Sequence, residues 1–174
     1  MKISLRDLLR QRKAFLLDRW FELILNEYEG ETKSFLRKQQ DRFANPVAYA
    51  LRAAAEAILQ ALIEDRDVDR APLAYALKIK AVQENDPLRG IAFVNSLKEV
   101  VRKDLADSIP ETELTDFYVR IDRISSIARD LFVGDRAKIA ELSAIKTSRP
   151  GVSAGRNKLE GDKHQRLQKS GCSK

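Results

Sequence analysis

Asn45-Pro46-Val47-Ala48-Tyr49-Ala50-Leu51-Arg52-Ala53-Ala54-Ala55-Glu56-Ala57-Ile58-Leu59-Gln60-Ala61-Leu62 is the segment on which the fold class turns. Asn45 offers a short side-chain acceptor of the kind that caps a helix. Pro46 stands at the first helical position, where its missing amide hydrogen costs nothing. Val47, Ala50, Leu51, Ala54, Ile58, Ala61 and Leu62 then return at helical spacing. The small Ala53, Ala54 and Ala55 permit a neighbour to approach closely, so the segment predicts a core helix.

The same devices recur on both sides. Asp65 to Asp69 reads as a charged turn, and a helix follows from Asp69 through Leu73, Leu77 and Lys80 to Val82. Asp86-Pro87 repeats the cap-plus-proline pair and launches a stripe of Ile91, Val94, Leu97, Val101 and Leu105. Ser108 with Glu111 matches the capping box, predicting a last helix to about Ile145. Upstream, Ser4 caps a first helix with Asp7 three residues on. Leu5, Leu8, Leu9, Phe15, Leu16, Trp20, Leu23 and Ile24 keep its apolar face until Gly30. A short helix from about Glu31 to Gln40, carrying Phe35 and Leu36, precedes a break at Phe43-Ala44-Asn45-Pro46. With 7 Gly and 5 Pro to interrupt strong helix formers, the expectation is an all-α bundle of about six helices over residues 1–145.

The last helix has a further property. Leu114, Phe117, Ile121, Ile124, Ala128 and Leu131 average the ~3.5-residue spacing that keeps one seam toward a neighbouring helix. That seam suits either the domain's own core or a second copy of the chain. The repeat fails at Asp135 and resumes, shifted, at Ile139 and Leu142. A straight helix of this length outruns a small bundle, so part of it should project or pair.

The 174 residues make one domain, with 33% charged residues and a net charge of +6. Residues 146–174 hold 8 basic and 2 acidic residues, leaving 24 of each sign in residues 1–145. The body is neutral, and the Gly- and Ser-punctuated remainder reads as a disordered basic tail. Nucleic-acid binding, which needs a basic stripe on the body, is disfavoured. A single cysteine, Cys172, charges scattered through the N-terminus, and no apolar run near the ~20 residues that span a bilayer point to a cytoplasmic protein. The only histidine, His164, lies in the tail, so the body has no histidine general base, histidine-bound metal or histidine-bound haem. Asp65, Asp67 and Asp69 open like a calcium loop, but Arg70 and Ala76 stand where Gly and Glu are required. No phosphate-cradling glycine loop occurs. The expectation is a non-enzymatic chain without cofactor or metal.

Several stretches together resemble a known family: Arg19-Trp20-Phe21-Glu22-Leu23-Ile24-Leu25-Asn26-Glu27-Tyr28, Phe43-Ala44-Asn45-Pro46-Val47, Lys80-Ala81-Val82-Gln83, and Arg136-Ala137-Lys138-Ile139. They are similar to the N-terminal sensory domain of RsbRD, an RsbT co-antagonist. That resemblance implies a non-haem, globin-like helical domain, usually dimeric, which relays a signal into a STAS domain in stressosome proteins. Here no strand-helix alternation follows residue 145, so a sensor half without its ordinary output module is expected. Glu29 and Asn85 depart from the family's usual residues.

The motif residues also have structural jobs. Trp20 and Tyr28 supply core area, Phe43 staples the loop onto the following helix, Asn45 caps that helix, with Pro46 and Val47 opening it, and Gln83 bonds loop backbone. A small pocket for an unknown ligand, with Gln83 and Asn45 as polar contacts, is the functional counterpart. The partners expected are a second copy of the chain and a STAS-domain or kinase signalling protein. The rival reading is an accessory factor docking on a membrane-associated or redox complex.

Overall fold

The computed structural model describes residues 3–38 and 41–148. Among these the secondary structure is helical throughout. The helices are α1 (Leu5–Gln11), α2 (Lys13–Leu25), α3 (Gly30–Lys38), α4 (Pro46–Glu64), α5 (Arg70–Gln83), α6 (Pro87–Gly90), α7 (Ala92–Leu105) and α8 (Glu111–Ser148), with a short 3-10 turn over Ala106–Ser108. The all-α expectation holds, with eight helices where about six were expected. Of the basic segment expected to be disordered from residue 146, Lys146 to Ser148 instead continue α8; the rest, with His164 and Cys172, lies outside the described residues.

The extra helices come from two breaks. At Arg12 (φ −105°, ψ 16°) the first apolar stripe splits. In an unbroken helix Arg12 would fall on the face of Leu5, Leu8, Leu9 and Leu16. The kink lets α1 lie on α4 while α2 lies on α4 and α7. Phe15, expected inside, is half exposed, as is Phe35 of α3, where Leu36 is the buried residue. Gly30 does not end the first helix; at φ +55° it leads into α3. The second break, at Ile91, leaves α6 one turn long and brings Gly90 beneath the ring of Phe132.

The caps are where local chemistry put them. Asn45 Oδ1 accepts from the Ala48 amide at 3.0 Å, Asp69 caps α5, Asp86 caps α6, and Ser4 Oγ accepts from Asp7 N. Ser108 is the exception. Ile109 precedes Pro110, whose ring drives it into extended backbone (φ −122°, ψ 154°), so α8 starts at Glu111 and the capping box does not form. Asn45 is buried, and its Nδ2 has no partner. Asn45→Ser should therefore keep the cap, remove an orphaned donor and leave the melting temperature unchanged or higher. Asn45→Ala should lose about 1 kcal/mol. Thermal melts of the two variants check this.

α4 lies at the centre, packed most extensively on α5, and α5 in turn packs on α8. The 19 residues of α4 are long and apolar enough to cross a membrane, contrary to the expectation from the sequence. Its composition is accounted for by the core, where Leu51, Ala54, Ala55, Ile58 and Leu59 are fully buried.

α8 spans about 57 Å. Phe117, Ile121, Ile124 and Ala128 of its heptad-like seam are buried in the chain's own core, and Leu114 and Leu131 pack at the edge. The seam is thus occupied within one chain and is not free to pair two α8 helices. Residues 140–148 are exposed all round.

Candidate functional site

The C-terminal ends of α2 and α5 meet around one buried cation. Lys80 sits in the apolar register of α5, between Leu77 and Ala81, with only 4% of its side chain exposed. A buried ammonium is costly without a counter-charge. Lys80 Nζ donates to Glu27 Oε2 at 2.9 Å and lies 5.3 Å from the centroid of the Tyr28 ring. Tyr28 OH in turn donates to Gln83 Oε1 at 2.9 Å. Burial pulls the Lys80 pKa down, but Tyr28, the hydrogen bond and charge of Glu27, and the charge of Glu84 outweigh it and hold it above the ordinary lysine value. Burial raises the Tyr28 phenol against the opposing pull of Lys80.

This cluster connects to both a surface groove and the long helix. Glu27 lines a groove of about 740 Å³ between α2 and α7, with Leu23 and Ala92 as apolar lining, Asn26, Asn95 and Lys98 among its polar groups, and Tyr118 of α8 on its far side. On the other side of Lys80, the carbonyl of Ala81 accepts from Arg136 Nη1 of α8 at 2.9 Å. One turn earlier on α8, the Phe132 ring covers Gly90.

Of the residues singled out in the sequence, Tyr28 and Gln83 meet in this cluster, Gln83 bonding a side chain and not loop backbone. Trp20 is fully buried and joins α2 to α7, its Nε1 donating to Phe93 O at 2.8 Å and Ser96 Oγ at 3.0 Å. Asn45, Pro46 and Val47 open α4, and neither Asn45 nor Gln83 lines the groove. Phe43 does not staple: it is 90% exposed. Asp41 holds that loop instead, its carboxylate accepting from the amides of Phe43 and Ala44, and the Ala44 bond first and the Phe43 bond second hold its pKa below the ordinary carboxylate value. Lys80 and Arg136 head two of the stretches that carry the family resemblance, but sequence reasoning assigned neither a contact of its own. The recurrence of Lys80 in the Leu73–Leu77 stripe was the available signal for burial of the first; no neighbour in sequence marks the bond of the second to Ala81.

The sequence matches the description RsbT co-antagonist protein rsbRD N-terminal domain over residues 15–144. The chain belongs to that family. The match covers most of α2, all of α3 to α7 and most of α8, leaving α1 outside it. No curated protein and no solved structure matches the chain. Within the rsbRD N-terminal domain span fall the groove, the Lys80 cluster and the Arg136 contact.

Proposed function

We propose that this rsbRD N-terminal domain is a non-enzymatic, cytoplasmic sensor that works by binding, as a homodimer, and passes its signal to a STAS-domain or kinase signalling protein. The observation that carries the reading is the unbroken series of contacts from the groove, through Glu27 and Lys80, to the Ala81 carbonyl held by Arg136. A small molecule seated against Glu27 competes with Lys80 for that carboxylate. Any shift of Lys80 moves the end of α5, and with it one of the contacts holding α8. The output is then a change in how α8 projects, a two-state element of the kind that couples distant sites. The groove's mixed amide, hydroxyl and charged groups serve recognition. The contacts described need no covalent step.

Arg136→Ala supplies the test. Immobilised wild-type chain should retain a STAS-domain protein or its kinase from native lysate, and the variant should retain several-fold less while melting within a few degrees of wild type. Retention of a metabolic complex alone would replace the sensor by an accessory factor. Turnover of a defined metabolite by the purified protein would overturn the binding mechanism altogether.

A further inference from the structure

We propose that α1 is a removable strap over a helix-binding groove, and that the groove takes in its place a leucine-rich, basic amphipathic helix of a partner protein. The groove lies between the C-terminal end of α4 and the first turns of α8. Ion pairs from Arg6 to Asp65 and from Lys13 to Glu56 set α1 and the start of α2 antiparallel to α4. Leu5, Leu8 and Leu9 form the buried face of α1.

Three observations make α1 separable. It has 7 residues. Isolated helices shorter than about 12–15 residues are marginal in water, so α1 keeps its shape only while seated. Arg12, a single non-helical residue that gives α2 no side-chain cap, joins it to α2 and supplies a hinge. The seat is also one-sided. α1 packs mainly on α4, and a cleft of about 330 Å³ remains between it and α8, lined by Leu5, Leu9, Leu62 and Phe117. Across that cleft the Leu5 amide donates to Glu113 Oε2 of α8 at 2.6 Å.

The receiving side is built to stand without α1. Asp65 ends α4 at φ +56°, a left-handed conformation that residues other than glycine seldom adopt. Its carboxylate, which glycine would lack, pairs with Arg6 Nη2 of α1 at 2.6 Å and with Arg120 Nη1 of α8 at 3.3 Å. Arg120 also donates to Leu62 O at 3.0 Å and Ala61 O at 3.1 Å, fixing the end of α4 to α8. When α1 lifts, Asp65 loses Arg6 and keeps Arg120, so the rim holds its place.

Charge and spacing name the occupant. Asp65, Glu113 and Asp116 bring three carboxylates to the cleft, and among the described residues Arg120 is the only cation that α4 and α8 contribute to it. An acidic rim selects a basic helix. The pattern that fits is the one α1 displays, leucines at i, i+3 and i+4 with a cation at i+1. α1 is tethered through one residue and competes at high effective concentration. A partner with larger apolar side chains gains by filling the cleft that α1 leaves open. The groove lies about 30 Å along α8 from Arg136 and shares none of the contacts of the Lys80 cluster.

The probe is a fluorescent peptide of residues 3–12, titrated by anisotropy into the full chain as wild type and as Arg6→Glu. Arg6 is half exposed, so the substitution leaves the core alone, sets a carboxylate against Asp65 and loosens the chain's own α1. The peptide, which keeps its arginine, should bind Arg6→Glu about tenfold tighter than wild type. Leu8→Glu in the peptide, which cannot affect folding of the chain, should abolish binding. Hydrogen exchange of the wild-type chain should show the amides of residues 8–11 opening together, about a hundredfold faster than those at the centre of α4. Peptide affinity equal or weaker in Arg6→Glu, or undiminished by Leu8→Glu, would overturn the groove. Amides of α1 exchanging as slowly as those of α4 would overturn the strap.

Discussion

Gly90→Ala is expected to destabilise the domain by about 2 kcal/mol or more, a drop in melting temperature of roughly 4–8 °C for a chain of this size. A Cβ on Gly90 would meet the Phe132 ring at 2.2–2.7 Å, closer than side-chain carbons approach. Gly90 does not use left-handed backbone, unlike Gly30 at φ +55°, so alanine adds no conformational strain and the loss is steric. The ring cannot yield easily, because Phe132 is fully buried. The same argument predicts coupling. Phe132→Leu alone should be destabilising, but in its background Gly90→Ala should cost less than in wild type, and denaturant titration of the four proteins measures the difference. Phe132 and Arg136 lie one turn apart on α8, so the single Gly90→Ala variant should also reduce capture of the signalling partner. Additive effects in the cycle would show that Gly90 and Phe132 do not press on each other.

Lys80→Glu should be the most damaging charge substitution in the domain, costing about 3–5 kcal/mol, whereas Lys80→Met should fall within about 1 kcal/mol of wild type. The first places a carboxylate against Glu27 at a position whose own side chain is almost wholly buried. The second fills the same apolar register of α5 and leaves Glu27, with 28% of its side chain exposed, able to recover hydration. The pair thus separates the cost of a wrong charge from the modest net worth of the right one.

The pH dependence follows from the direction of the two shifts. Lys80 binds its proton more tightly in the folded chain than in the unfolded one, and so does Tyr28. Their contribution is complete below the ordinary values of about 10 to 10.5 and is lost as pH rises through the folded values. Stability should be flat in this respect through neutrality and decline from about pH 10. Lys80→Met and Tyr28→Phe should each flatten that alkaline limb. An unchanged limb in both, followed by urea unfolding across pH 8–11, would remove the cluster as its cause.

Much of this was legible in the residues and some was not, for reasons that individual positions show. Asn45, Asp69 and Asp86 cap the helices expected of them because each needs only an amide two or three residues away. Ser108 looked the same and failed because Pro110 constrains Ile109, a neighbour the pattern ignores. Phe43, read as a staple, points away because Asp41 already organises its loop with two amide hydrogen bonds. The spacing of Leu114 through Leu131 was correct as a buried seam, but spacing carries no information on whether the surface that covers it belongs to the same chain.

Read alone, the residues settled the all-helical class, the positions of the main caps and the family resemblance. Each of these depends on side chains within about four residues of one another, or on the order of short motifs. Packing settled the rest: the breaks at Arg12 and Ile91, the pairing of Lys80 with Glu27 across 53 positions of sequence, and the hold of Arg136 on Ala81 across 55. Such contacts are selected by burial and counter-charge in three dimensions, and linear spacing does not encode them.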